Sequence, residues 1–280
     1  MNLSEAKHIF FTQLEQSYDN DELRAIFNIV CEKTFGLDRV EIPLNLNKII
    51  EDKGQKEFTK VIDQLKSHQP IQYIYGVADF YNLKINVTPD VLIPRPETEE
   101  LVDIIVKSND QPFLKILDIG TGSGCIAISL AKNISNSKVS AIDFSEKALE
   151  IAKKNAQLNS VTIDFIHKDI LNTGKLPHKY DIIVSNPPYV KDSEKKNMHK
   201  NVLDYEPHTA LYVRDENPLV FYDKIANLAY NHLNNNGKLY FEINQSLGEE
   251  TKELVKSKGF SKVKRLSDFK GNHRFVLAYR

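Results

Sequence analysis

The chain has little that would mark it as secreted, metal-bound or membrane-embedded. Only two cysteines, Cys31 and Cys125, occur in 280 residues, with no C-x-x-C and no His/Cys cluster at ligand spacing. Neither a disulfide framework nor a zinc site is indicated. Cys31 shares a helical stripe with Leu23, Ile26, Phe27 and Val30, and Cys125 opens an apolar helix, so both read as small core residues. Met1-Asn2-Leu3-Ser4-Glu5 carries no basic segment leading into an apolar one, and no apolar run approaches bilayer length. The expectation is a cytoplasmic protein without a membrane partner. Net charge is also nearly absent, 37 Lys and Arg against 38 Asp and Glu. No basic face for neutralising phosphates is expected, hence no stable nucleic-acid binding, and a protein substrate becomes easier to credit. Repeats and low-complexity tracts are lacking too.

What is present suits one α/β domain with a small appendage. Residues 1–70 read as a helical unit, because Leu23 to Cys31 and Phe58, Val61, Ile62 and Leu65 recur at helical spacing, with a weaker helix over Ala6 to Leu14. Such stripes bury against one another and predict a small bundle. Gln69-Pro70 ends it. Residues 71–92 read as a linker holding a β-hairpin, with Tyr73 to Val87 folded around Asn82. Residues 93–280 then alternate strand and helix, which predicts a mostly parallel sheet with helices on both faces and ligands at the carboxyl ends of the strands. Within it, Asn217-Pro218 is expected to open a long helix and Asn236-Gly237 to close it.

The first chemical motif is Gly120-Thr121-Gly122-Ser123-Gly124, placed between the strand Lys115 to Ile119 and a helix that starts at Cys125. Its glycines permit a tight strand-to-helix turn and a close approach of ligand to backbone. The next strand, Val139 to Asp143, ends in a carboxylate suited to two ribose hydroxyls. Dinucleotide sites usually show G-x-G-x-x-G; the G-x-G-x-G spacing here suits a cofactor without phosphates, such as S-adenosyl-L-methionine. Asp118 precedes the turn and either orders it or reaches the cofactor's amine.

The second motif decides between these cofactors. Asn186-Pro187-Pro188-Tyr189 ends the apolar run Tyr180 to Ser185. Neither proline has an N–H, so the carbonyls of Asn186 and Pro187 and the Asn186 side-chain oxygen form an array of acceptors. Standing before prolines, Asn186 and Pro187 are pushed toward extended geometry, which holds the array open. Such a lip wants an amide or an exocyclic amine. It supplies no acid or base for hydride transfer, whereas methyl transfer to an amide nitrogen requires none. Asn186 and Pro187 are the candidate catalytic acceptors; Tyr189 would pack on the planar amide, and all four residues are candidates for substrate binding.

These motifs resemble those of the N(5)-glutamine methyltransferases that modify peptide chain release factors, the HemK or PrmC family. The resemblance spans Ile93-Pro94-Arg95-Pro96-Glu97-Thr98-Glu99, Asp118 to Gly124, Asn186 to Tyr189, Tyr205-Glu206-Pro207 with Ala210-Leu211, and Asp268, Gly271 and Arg274, all in family order. The chain departs from the family at Tyr212 to Pro218, where glycines are usual. The resemblance implies a Rossmann-like class I methyltransferase sheet with a final antiparallel strand, an N-terminal bundle that docks class 1 release factors, and methylation of the glutamine in their Gly-Gly-Gln motif. It also implies that Ile93 to Glu99 walls the cofactor pocket and that Asp169 and Ile170 hold the adenine. The cofactor set is then Gly120, Thr121, Gly122, Ser123, Gly124, Asp143, Asp169, Ile170 and Asn186. A monomer is expected. Two alternatives stay open: a glutamine methyltransferase acting on a ribosomal protein, and an adenine-N6 nucleic-acid methyltransferase, whose target presents the same planar NH2.

Overall fold

The computed structural model describes residues 1–280, the side chain of Asn197 apart. The chain forms two compact units, Met1–Gly76 with His199–Tyr205, and Val77–Met198 with Glu206–Arg280.

In the first unit, α1 (Leu3–Leu14), α2 (Asn20–Phe35) and α3 (Asp52–Lys66) are followed by the short α4 (Ile71–Tyr75). Asn2 and Glu5 close a reciprocal capping box on α1, and Asp19 caps α2 through two backbone N–H groups. Each helix turns one apolar stripe inward. Phe10 lies at the junction, its ring centroid 5.3 Å from Phe27 and 6.1 Å from Phe58. Cys31 is buried in this core, as its stripe predicts. The detached segment joins the unit through the Tyr205 hydroxyl, which donates to the carbonyl of Ser67.

The hairpin is shorter than its sequence suggests. Tyr73 to Tyr75 are helical, because Ile71, Ile74 and Tyr75, spaced three and four apart, pack on the bundle core. The strands are β1 (Val77–Phe80) and β2 (Leu83–Asn86), joined across Tyr81 and Asn82, both left-handed as a two-residue hairpin turn demands.

The second unit continues through α5 (Pro96–Lys107), β3 (Lys115–Ile119), α6 (Cys125–Asn133), β4 (Lys138–Asp143), α7 (Glu146–Leu158), β5 (Ile163–His167) and β6 (Tyr180–Ser185). A two-stranded parallel patch of β7 (Val190–Lys191) and β8 (Tyr212–Val213) flanks α8 (Lys200–Tyr205, of the first unit) and α9 (His208–Leu211) in sequence. The chain ends with α10 (Val220–His232), β9 (Leu233–Glu242), α11 (Gly248–Ser257), β10 (Lys262–Ser267) and β11 (His273–Tyr279). The main sheet has the order β10-β11-β9-β6-β3-β4-β5, and only β11 runs antiparallel to its neighbours. That is the mixed, doubly covered sheet expected from the alternation of elements.

Both ends of α10 differ from expectation. Val220 N donates to Asn217 O, which makes a separate turn of Asn217 and Pro218 ahead of the helix. At the other end the helix stops at His232, because Leu233 extends at once to pair with Tyr180 as the fully buried first residue of β9. Asn236 and Gly237 instead sit in an irregularity of that strand, before Lys238 pairs with Ile182. Among the described residues, no helix is long and apolar enough to cross a membrane.

Candidate functional site

The glycine turn caps β3 and reaches across to β4. Gly120 N and Thr121 N both donate to Ile142 O, at 2.8 and 3.1 Å. Gly124, at φ +83°, leaves no room for a side chain, since a Cβ there would stand 3.0 Å from the Ala152 Cβ and the Ile128 Cδ1. It brings the start of α6 against α7. Thr121 and Ser123 are buried: the Thr121 hydroxyl donates to Asp118 Oδ2 at 2.6 Å, and Ser123 O accepts from the Asn155 amide at 2.9 Å. Asn155 also exchanges two hydrogen bonds with the Asn86 backbone, so one side chain ties β2, α7 and the turn together.

Asp143, nearly buried at the end of β4, accepts from Gly122 N at 2.8 Å and from Ser145 N at 2.9 Å. Burial pushes its carboxyl up, and the backbone N–H groups of Ser145, Gly122 and Phe144 pull it back down. A carboxylate offers about four lone pairs, so acceptor capacity remains for a ligand beyond these three N–H groups.

Around this corner lies an open-mouthed cleft. Gly120, Gly122, Asp143, Asp169, Ile170, Asn186, Pro187 and Pro188 line it, together with Phe144. Thr121, Ser123 and Gly124 do not; they build the turn from behind. Both Asp169 oxygens are engaged locally, by Leu171 N and by the Asn172 amide. The charged lining is Asp90, Asp143 and Asp169 against Lys168. An excess of carboxylates suits a cation and repels a pyrophosphate.

The tetrapeptide forms the rim. Asn186 O closes on the glycine turn, 4.0 Å from where a Gly120 Cβ would stand, so the two motifs meet. A smaller cleft adjoins the first, lined by Leu92, Arg95, Tyr189, Val190, Ala210 and Leu211. Asn186 and Pro187 line both clefts. Leu92 and Ala210 line both as well, so the two clefts adjoin at the acceptor array. Tyr189 is held at three points: its N–H donates to Leu211 O, its carbonyl accepts from the Asn244 amide, and its hydroxyl donates to Glu242 Oε1 at 3.2 Å. Burial, then the charge of Glu242, pushes its phenol far up, so it stays a neutral ring. Arg95 pairs with buried Glu206, which also accepts from Ile93 N. Glu206 thus anchors the Ile93 to Pro96 segment beside the rim.

Several partners of the site went unread in the sequence. Phe144 follows Asp143 and stays half exposed at the cleft. Buried Glu242 ends β9 and accepts from Tyr189 and, at 2.7 Å, from the Thr98 hydroxyl. Thr98 in turn accepts from Asn186 Nδ2 at 3.3 Å. A lone carboxylate closing the apolar run Leu239 to Phe241 is the visible signal. Among the described residues, no three His, Cys, Asp or Glu side chains gather where they could hold a metal ion.

Asp118 is fully buried, with Oδ1 unpartnered. Burial pushes its carboxyl from the ordinary 3.8 up to about 7; the Thr121 hydroxyl opposes this and the Asp143 charge adds to it. The native state then keeps a proton that the unfolded chain has already lost. The contribution is present below the unfolded value and is lost as pH rises toward about 7. In thermal unfolding without cofactor, Asp118→Asn is expected to gain on the parent protein between about pH 4 and 7 and to hold a constant offset above it. Parallel profiles would show that Asp118 is ionised throughout.

A glycine turn on β3, an acidic end on β4, a cation-favouring cleft and a sheet with one antiparallel strand define a class I S-adenosylmethionine-dependent methyltransferase. Residues 98–208 match the family described as Methyltransferase small domain, and residues 5–76 match the PrmC N-terminal domain. The release factor glutamine methyltransferase of Flavobacterium psychrophilum is 51% identical over 95% of both chains. That of Bacteroides thetaiotaomicron is 44% identical over 95% of this chain and 96% of its own. A methyltransferase structure from Pyrococcus furiosus covers 80% of this chain and 97% of its own with a TM-score of 0.52 at 21% identity, a likeness of fold. The chain belongs to the release factor glutamine methyltransferase family, as the motif order in its sequence implied.

Proposed function

We propose that the protein transfers the methyl group of S-adenosyl-L-methionine to the side-chain amide nitrogen of the glutamine in the Gly-Gly-Gln motif of class 1 peptide chain release factors. The observation that carries this reading is the position of Asn186 and Pro187, which line the larger and the smaller cleft at once. In the larger cleft, Asp143 would accept from the ribose hydroxyls, Phe144 and Ile170 would flank the adenine, and the backbone at Gly120 and Gly122 would leave room for the methionine end. The excess of carboxylates along the cleft fits a cofactor that carries an ammonium and a sulfonium. When bound, that cofactor supplies an activated methyl carbon.

The residues of the smaller cleft do the rest. An amide nitrogen is a poor nucleophile because its lone pair is delocalised into the carbonyl. Asn186 Oδ1 and the Pro187 carbonyl accept its two N–H groups, which pulls electron density onto nitrogen and aims it across the rim. The ring of Tyr189 flanks the planar amide. The proton lost on methylation leaves to solvent, since no side chain at the rim is a base. Alignment of two bound reactants contributes about 7–11 kcal/mol of a barrier, enough to make positioning the main device.

The reading includes a cytoplasmic monomer that binds neither nucleic acid nor membrane. It also assigns docking of the release factor to the bundle of residues 1–70, on which Val40, Leu44 and Ile49 stand exposed. Incubation with methyl-labelled S-adenosylmethionine and, in parallel, release factor, ribosomal protein and DNA tests it. Label is expected on the release factor glutamine; label on the ribosomal protein or on adenine alone would overturn it.

A further inference from the structure

We propose that Thr98 and Glu242 form a positioning relay that fixes which way the Asn186 amide faces, and that this direction makes the site choose a carboxamide over a carboxylate. The inference rests on the reading of Asn186 Oδ1 as the acceptor for the substrate N–H.

The direction follows from proton counting. Glu242 is buried and receives a hydroxyl on each oxygen, Thr98 on Oε2 at 2.7 Å and Tyr189 on Oε1 at 3.2 Å. Burial pushes its carboxyl above the ordinary range, and the Thr98 and Tyr189 hydroxyls, then the positive charge of Arg274, pull it back toward the ionised form. An ionised carboxylate only accepts, and a threonine hydroxyl has a single proton. With that proton committed to Glu242, Thr98 Oγ1 can meet Asn186 only as an acceptor. Asn186 must then turn Nδ2 toward it, as found at 3.3 Å, and Oδ1 faces away. The fixed end of the relay is the charge; the Asn186 carbonyl is its reporting end.

Two consequences follow. Hydrogen bonds in series polarise one another, so the buried charge makes Asn186 Oδ1 a stronger acceptor than a free amide would be. A substrate carboxylate meets the Asn186 and Pro187 acceptors without a donor from the array, because the Asn186 NH2 is held by Thr98 and the Arg95 guanidinium that also lines this cleft is paired with Glu206. A site left with unpaired polar groups can discriminate by about 10⁴-fold or more. Sheet order makes the relay possible: β9 lies beside β6, with Phe241 paired to Ser185, so Glu242 and Asn186 leave neighbouring strand ends together. Thr98 arrives from the first turn of α5, where its N–H bonds to Arg95 O, and a purely structural role there is the competing account.

The experiment compares the parent chain with Thr98→Val, Thr98→Ser and Glu242→Gln. Turnover is measured on full-length release factor, and inhibition by the same release factor with its motif glutamine changed to glutamate. Thr98→Val frees the amide to present Nδ2 and is expected to lower kcat by about 10–10²-fold while cofactor affinity holds. The preference for the glutamine protein over the glutamate protein, taken as Ki over KM, is expected to shrink about tenfold or more. Thr98→Ser keeps the hydroxyl and recovers most of both. Should Thr98→Val not fold, Glu242→Gln reads the same preference, since an uncharged amide permits either direction of the relay. A fall in kcat with an unchanged preference reduces Thr98 to a structural residue and overturns the inference, as does a variant indistinguishable from its parent. Methylation of a ribosomal glutamine by the parent chain would remove the release-factor reading alone, and the preference is then read on that glutamine. Failure of the parent to label any glutamine removes both.

Discussion

Asn186→Ala is expected to lower turnover by about 10²–10³-fold, the usual cost of losing one preorganised polar group aimed at the reacting centre. The dissociation constant for S-adenosylmethionine is expected to stay within about threefold, a change worth less than a kcal/mol. The split follows from where the residue stands. Its side chain touches no group that builds the glycine turn; that turn is held by Ile142, Asp143 and Thr121. The Asn186 carbonyl, which packs toward Gly120, survives the substitution. What alanine removes is Oδ1, one of the two acceptors that orient the amide and draw density onto its nitrogen. Pro187 O remains and keeps some substrate affinity, so the loss falls on kcat more than on KM. Single-turnover rates with saturating release factor, paired with cofactor titration by calorimetry, check both halves. Wild-type turnover in the variant would take Asn186 out of the mechanism; a parallel loss of cofactor affinity would make it a structural residue of the cleft.

The parts of this site that can be read along the chain are those whose chemistry is local. Gly120 to Gly124 and Asn186 to Tyr189 are each contiguous, and each states its geometry through residues whose backbone is special: glycines that allow positive φ, prolines that donate nothing. Asp143 is legible because one helix and one strand, a single α/β step, separate it from the glycines. Glu242 and Thr98 are not legible in the same way. Their hydrogen bond joins residues 144 positions apart, and only the placement of β9 against β6 brings Glu242 beside Asn186. The errors in element ends have a similar source. Asn217-Pro218 carries a good helix start, yet the turn that Asn217 closes delays α10 to Val220. Tyr73 to Tyr75 look like strand by composition, but the side chains of Ile74 and Tyr75 are claimed by the bundle core. Tertiary packing overrides propensity at such boundaries.

Asp143→Ala is expected to act in the opposite sense, raising the dissociation constant for S-adenosylmethionine by about 10²-fold or more. Each hydrogen bond to a charged acceptor contributes about 1.5–3 kcal/mol, and a ribose offers two hydroxyls. Alanine also strips the acceptors from Gly122 N and Ser145 N, so the glycine turn loses one of its ties to the end of β4 and keeps those to Ile142 O. Asp143→Asn is expected to be nearly as damaging, although it is isosteric. Its amide would set an NH2 group against one of the two backbone N–H groups that the carboxylate now accepts. Neither variant touches the rim, so kcat at saturating cofactor is expected to fall by less than about tenfold, well short of the loss at Asn186. Calorimetric titration of cofactor, with thermal unfolding to confirm that the sheet is intact, measures the effect. An unchanged dissociation constant in a folded Asp143→Ala protein would assign the carboxylate to the turn alone and move ribose recognition elsewhere in the cleft.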